Sequence, residues 1–293
     1  MIPVVIPYRT GRIAVLADLH WDSYARIGTT PIDAHGLENE LACGLDALII
    51  AGDLANGPPH AWQAAVAALK RRLTIDNVYI LPGNHDYYMH ELNGDDALER
   101  HAREAGATFI QTRELRHGNT RFLCCTLWTD FELSGYADLS KRVAQRAMQD
   151  YHRIMKADPE QAPLSAEVVE PRRRVPITPD DTLAVHRDHR CWLESALGAP
   201  HFAGEAGRTV VVTHHGPHPA AAGEMDALTA AFHSDLSDVI QCFHPEAWFF
   251  GHSHRRLRAR VGATDIRNVS LGYPGETQVP GSSRLAEICF WEA

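Results

Sequence analysis

Five short clusters of this chain collect side chains that hold metal ions: Asp18-Leu19-His20, Gly52-Asp53, Gly83-Asn84-His85-Asp86, His214-His215-Gly216 and Gly251-His252-Ser253-His254. Carboxylates and neutral imidazoles suit zinc, iron, manganese or cobalt, and the lack of a thiolate in the set argues against a structural zinc site of the cysteine type. A carboxylate carries two oxygens and a negative charge, so one aspartate can belong to two cations at once. In Asp18-x-His20 and His252-x-His254 the donors stand two residues apart, a spacing at which an extended segment presents both side chains to one face. The glycines ahead of Asp53, Asn84 and His252 relieve crowding where the backbone turns beside a donor. An isolated DxH or GH occurs in many structural and surface settings; five clusters in this order form a specific set.

The elements that must position these clusters lie directly upstream of them. Aliphatic and β-branched runs bounded by turn residues predict strands over 12–17, 47–51, 78–81, 120–128, 209–213, 247–250, 264–270 and 284–291. Five of these runs stop and at once deliver Asp, Asn or His. In open α/β sheets ligands bind at the carboxyl ends of strands, so the clusters are expected to meet in one crevice. Apolar residues at helical spacing mark a helix over 60–73 (Trp62, Val66, Leu69, Leu73) and another over 137–156 (Val143, Ala147, Tyr151, Ile154). Two more are predicted over 181–197 and 226–242, and the last fifty residues read as strand-dominated. The mixture predicts sheet layers with helices packed outside.

Residues 157–180 stand apart, with Pro159, Pro163, Pro171, Pro176 and Pro179 alongside the basic run 172–174. Long irregular connections in compact domains are usually functional or mobile. No repeat appears and no linker divides two cores. The chain therefore reads as one domain, residues 1–293, with a helical and proline-rich excursion at about 131–206. That excursion is either a cap over the site or a peripheral decoration.

Composition narrows the class. Among 293 residues, 45% are hydrophobic and 22% charged, the balance of a globular protein rather than a disordered or fibrous one. The longest apolar runs are strand-sized and too short to span a bilayer. A net charge of −9 argues against a general nucleic-acid binder, although two bound divalent cations would reverse the field locally. The six cysteines show no CxxC spacing and read as buried, reduced thiols. With no leader-like segment evident at the N-terminus, a cytoplasmic location is expected.

The ordered clusters resemble the signature of the calcineurin-like metallophosphoesterases, DxH…GD…GNHD/E…H…GHxH, across residues 18 to 254. The resemblance implies an α/β (α+β) fold: a four-layer αββα sandwich of two mixed β-sheets flanked by helices. It implies that Asp18, His20 and His254 hold one metal, that Asn84, His214 and His252 hold the other, and that Asp53 bridges them. His214 is preferred over His215 because it directly follows its strand and the family places Pro or a small residue two positions later. His85 resembles the family's histidine that touches the phosphate and assists the leaving group, with Asn84 and Asp53 completing the catalytic set. The implied cofactors are two metal ions, Mn, Fe or Zn foremost, with Co, Ni or Mg also compatible. Hydrolysis would proceed by attack of a metal-activated hydroxide on phosphorus.

The expected function is hydrolysis of a phosphodiester of a small or nucleotide-like substrate. The alternatives are a phosphomonoesterase and a non-catalytic metal-binding scaffold. A protein phosphatase is disfavoured, because that branch carries GDxxDRG whereas Asp53 is followed by Leu54-Ala55-Asn56-Gly57. Nothing predicts a membrane partner or an oligomeric state. Tyr87, Tyr88 and His218 adjoin the clusters and could touch substrate or simply pack. Tyr273, in the turn after the strand bearing Asn268, could close one side of the pocket or belong to a plain turn. The basic run 172–174 could meet a second phosphate or face solvent; Trp128 reads as a core aromatic, and His186 and His189 as non-ligands.

Overall fold

The computed structural model describes residues 2–42, 44–158 and 173–293. Two mixed sheets dominate it. The smaller has strand order Phe290–Glu292, Arg12–Leu16, Ala47–Ala51, Val78–Leu81, Thr108–Phe109, all parallel except the first. The larger has the order Val4–Val5, Arg113–His117, Thr120–Cys125, Arg208–Thr213, Ala247–Phe250, Thr264–Asn268, Arg258–Val261. Its central four strands are parallel. A third ladder pairs Met155–Ala157 with Arg174–Pro176.

The pleat explains the layering. Along Thr120–Cys125, Phe122 and Cys124 join a core between the sheets, while Leu123 and Cys125 join a second core on the outer face. Val211, Trp248 and Phe250 face that outer core, and Val210, Val212 and Phe249 face the inner one. A sheet buried on both faces needs apolar residues at every position, which is why these strands read as unbroken hydrophobic runs. Helix Pro179–Gly198 lays Leu193 and Leu197 on the outer core, together with Val239 and Ile240 of helix Ser237–Phe243. On the opposite side helix His60–Leu73 buries Trp62, Val66, Leu69 and Leu73. The result is the expected sandwich of two mixed sheets with helices outside.

Register brings the strand ends together. Leu16 pairs with Ile50 and Ala51 with Leu81 in the smaller sheet; Thr213 pairs with Cys125 and Phe250 with Asn268 in the larger. The sheets are also stitched to one another there, since Ala17 donates to the Val269 carbonyl (3.0 Å) and Leu271 to that of Ala17 (2.8 Å).

Several predicted elements are corrected. The helix over 137–156 is two helices, Ala137–Ala147 and Asp150–Arg153, followed by strand Met155–Ala157. The chain turns extended at Met148, and Ser140, Ala144 and Met148 are buried rather than Val143 and Ala147. The helix over 226–242 is broken into Thr229–Phe232 and Ser237–Phe243, because His233 bridges to Gly216 beside the fourth cluster. The strand over 284–291 opens with a helical turn, Leu285–Ile288, whose two ends are buried, before Phe290–Glu292 pairs with Arg12–Leu16. The strand over 120–128 stops at Cys125, and Leu127 and Trp128 turn through positive φ of 73° and 55°. Cys191 and Cys242 are exposed rather than buried, while Cys124, Cys125 and Cys289 are buried. Within the proline-rich stretch, 159–172 lies outside the described residues; Arg173 and Arg174 are paired with Asp158 and Glu91. Helix Pro179–Gly198, inside the predicted excursion, packs as an outer layer of the sandwich.

Candidate metal centre

The five clusters converge. Asp18, His20 and His254 place donor atoms within 4.8 Å of one another, and so do Asp53, His214 and His252. Between the two groups, Asp53 points one oxygen toward His214 Nε2 (3.6 Å) and the other toward His20 Nε2 (3.9 Å). His254 Nε2 lies 3.1 Å from His20 Nε2 and 3.4 Å from Asp18 Oδ1. Asn84 Oδ1 is 3.0 Å from His214 Nε2. His85, Asp53 and His20 form a third close group, with His85 Nε2 at 3.9 Å from Asp53.

Backbone geometry at these residues is unusual. Asp18, His20, Asp53, His252 and His254 all have positive φ, between 39° and 65°. Such conformations are uncommon for residues with a Cβ and cluster where function imposes them. The glycines make the close approach possible. A Cβ on Gly83 would lie 2.2 Å from Asp53 Oδ1, and one on Gly52 would lie 2.1 Å from His214 Nδ1.

The orientation of each donor is set behind it. His214 donates Nδ1–H to the Ala51 carbonyl (2.9 Å), leaving Nε2 as a lone-pair donor toward Asp53 and Asn84. His254 donates Nδ1–H to Glu276 (2.8 Å). Asp18 Oδ2 accepts from His252 N (2.9 Å) and Ser270 Oγ (2.5 Å), so Oδ1 is turned inward. Asn268 secures the last loop by donating to Gly251 O (3.1 Å) and Ser253 Oγ (2.9 Å). Contacts of this kind orient side chains that hold a metal ion.

The donor set fits cations. Among the described residues, Asp18 Oδ1 and His252 Nε2 are buried and have no hydrogen-bond partner. Asp18 and Asp53 are buried side by side, an arrangement that requires positive charge. Burial, and then the neighbouring carboxylates Asp18 and Asp86, push Asp53 well above the usual carboxylate range. Burial and mutual repulsion between imidazoles push His20 and His252 down, and burial does the same to His214, which favours the neutral imidazole, the form able to coordinate a metal. His254 goes the other way: burial opposes its protonation, but Asp18 and Glu276 raise it to about 10.

A cavity of about 350 Å³ opens over the centre, lined by Asp53, Asn84, His85, Tyr88, His252, His254 and Tyr273, and by Met148, Gln149 and Asp150 from the predicted excursion. His85 donates Nδ1–H to Asn56 Oδ1 (2.7 Å), and Asn56 Nδ2 donates to Asp22 (3.0 Å). Its Nε2 thereby faces the cavity, 3.2 Å from the Tyr273 hydroxyl. Tyr273 stacks on His20 at 4.0 Å between ring centroids. Burial, then the neighbouring His214, which would repel a second protonated ring, lowers His85 to about 3.

Other candidates fall elsewhere. Tyr87 is a core residue whose hydroxyl donates to Asp95 (2.6 Å), so it is Tyr88 that lines the cavity. His218 caps the short helix Pro219–Ala221 by accepting from Ala220 N (3.0 Å) and does not line the cavity. His215 sits between Trp128 and His252, with Nδ1 at 3.2 Å from the Thr126 carbonyl. His186 and His189 hold the 127–128 turn rather than the centre. Asn56, Asp22 and Asp150 were missed; nothing distinguishes them in the sequence except that Asn56 lies three residues after Asp53.

Fold and site together define a hydrolase of phosphoric esters that depends on metal. The chain belongs to the Calcineurin-like phosphoesterase family, whose sequence profile matches residues 11–256 and whose members carry a binuclear metal centre. No curated protein sequence matches the chain. Among solved structures it resembles the phosphopantetheinyl hydrolase PptH of Mycobacterium tuberculosis, at 16% identity and a TM-score of 0.61, covering 91% of this chain and 92% of the other. It also resembles a putative 5'-nucleotidase of Staphylococcus aureus in complex with alpha-ketoglutarate, at 14% identity and a TM-score of 0.46, covering 89% of this chain and 49% of the other.

Proposed function

We propose that the cavity hydrolyses a phosphodiester of small or nucleotide-like character, with Asp18, His20, Asp53, Asn84, His214, His252 and His254 holding the two metal ions. Manganese, iron and zinc suit these donors best. Bound there, the ions supply positive charge at the phosphoryl oxygens and lower the pKa of a coordinated water toward neutrality. His85 would present Nε2 to the phosphate; neutral in the free site, it would take a proton from solvent water as the anion arrives and pass it to the departing oxygen. Tyr273 and Asn56 hold its ring in place.

The observation that carries the diester reading is electrostatic. Among the described residues lining the cavity, the one arginine or lysine is Arg255, and its guanidinium is engaged by the carbonyls of Ala222 (2.7 Å) and Glu224 (2.6 Å). With its other nitrogen 3.8 Å from Asp226, no unengaged arginine or lysine remains among the described lining residues to meet the second charge of a phosphate monoester, whereas a diester carries only one. Glu276 and Asp150 add negative charge to the wall. The acidic chain as a whole disfavours long nucleic acid, and the free thiols support a reducing, cytoplasmic setting.

The test is turnover of bis(p-nitrophenyl) phosphate against p-nitrophenyl phosphate by the protein loaded with Mn²⁺. A higher kcat/KM on the diester is expected. Preference for the monoester overturns the diester reading, and no turnover at full metal occupancy favours a scaffold.

A further inference from the structure

Asp150 stands sixty-six residues from Asn84 in sequence, at the start of helix Asp150–Arg153, yet its carboxylate reaches the metal centre. It is 1% exposed. Oδ1 accepts from Asn84 Nδ2 at 2.9 Å and from the Tyr88 hydroxyl at 2.7 Å. Oδ2 is buried without a partner among the described residues. No step proposed above employs this group.

We propose that Asp150 is a positioning residue for the metal site built on Asn84, so that the segment between the third and fourth clusters is part of the centre. The inference rests on the reading of Asn84 as a ligand. A primary amide coordinates a cation only through oxygen, and a half-turn about its terminal bond would present NH₂ instead. A carboxylate only accepts hydrogen bonds. Placed behind Asn84, Asp150 therefore forces the NH₂ group outward and turns Oδ1 toward His214 Nε2.

The same oxygen orients Tyr88. With its proton given to Asp150, the Tyr88 oxygen faces His85 Nε2 at 3.4 Å, and the two rings lie 4.3 Å apart. The backbone delivers the carboxylate rigidly. Met89 N donates to Arg153 O, Met155 N to His90 O and Leu92 N to Met155 O, each at 2.9 Å, lashing the segment around Asp150 to the one that follows His85. A buried carboxylate with an unpaired oxygen is costly unless positive charge lies close by. Cations held by Asn84 and Asp53 would supply that charge, with Asp150 joining Asp18 and Asp53 in balancing it.

The experiment measures stepwise Mn²⁺ affinities of the purified full chain, unaltered and as Asp150→Ala, by calorimetric titration with metal analysis. Two ions are expected in the unaltered chain. In Asp150→Ala one constant should stay near its original value while the other weakens by roughly 10–100-fold, the range seen when a ligand's supporting partner is lost. A purely structural role would lower thermal stability and leave the two constants unchanged or shift both together, and either result overturns the proposal. Should Asp150→Ala not fold, the isosteric Asp150→Asn carries the same comparison, with a smaller weakening confined to one site expected. Fewer than two ions in the unaltered chain would overturn the metal-pair reading itself and this proposal with it, a failure distinguishable from unchanged constants.

Discussion

At the scale of single residues, the proposed role of His85 is chemistry rather than coordination. Its Nε2 lies close enough to Asp53 and His20 to join a cation group, and its ring, tied through Nδ1–H to Asn56, packs between Tyr88 and Tyr273. If it is the proton donor, His85→Ala should lower kcat by roughly 10²–10⁴-fold on an alkyl ester and less on a nitrophenyl ester, whose leaving group needs no proton. Metal content should stay close to that of the unaltered chain. Loss of metal from the variant would instead mark His85 as a ligand. The carry-over of roles at His214 and His215 is likewise a matter of single atoms. His214 turns Nε2 inward because Ala51 takes its other nitrogen, while His215 is packed against Trp128.

At the scale of elements, the loops after Ala47–Ala51 and Val78–Leu81 are held together by one buried carboxylate. Asp86 accepts from Asp53 N (2.8 Å), Gly83 N (2.8 Å) and Trp62 Nε1 (3.0 Å), linking two strand ends to helix His60–Leu73. Removing an acceptor leaves each buried donor with its desolvation cost. Asp86→Ala should therefore lower unfolding stability by about 3 kcal/mol or more in urea titrations, with a loss of metal affinity, because Asp53 loses its backbone anchor. Asp86→Asn, which keeps one acceptor oxygen, should cost less. A stability within the scatter of surface substitutions would show that the loops are held by other contacts.

At the scale of the whole molecule, buried neutral histidines outside the centre add to the response to acid. Burial lowers His189 and His233 to about 3, and His186 is pushed down as well. In the unfolded chain a histidine titrates near about 6.5. Above that value both states are neutral and the groups add no pH dependence. Below it the unfolded chain takes up protons that the folded chain refuses, so stability falls as pH drops from about 6.5 toward 3, by at most about 1.4 kcal/mol per pH unit for each histidine. Urea midpoints of the metal-free protein between pH 7.5 and 5 should show this slope, and His233→Leu should flatten it. A midpoint independent of pH across that range would sink the idea. Among the described residues no helix is long and apolar enough to cross a membrane.

Much of the centre was legible in the sequence because its chemistry is local to strand ends. A strand that halts at Gly52-Asp53 or Gly251-His252 announces both the turn and the donor, and the strands Ala47–Ala51, Val78–Leu81 and Ala247–Phe250 lie where their apolar runs place them. That order of clusters carries the family resemblance, which in turn implies the sandwich and the phosphoester chemistry. What required the tertiary structure were the contacts made across sequence distance. Asp150 and Asp22 carry no local pattern, and their relation to Asn84 and Asn56 exists only once the chain has folded back. Tyr87 and Tyr88 are neighbours with the same side chain, yet the short turn His85–Tyr87 sends one into the core and the other into the cavity. The break in the predicted helix over 226–242 has the same origin, since pairing of His233 with Gly216 outweighs a helical pattern that the local residues favour. Short-range spacing determines which donors a strand end offers, whereas the contacts that aim them depend on which distant segments the two sheets bring into register.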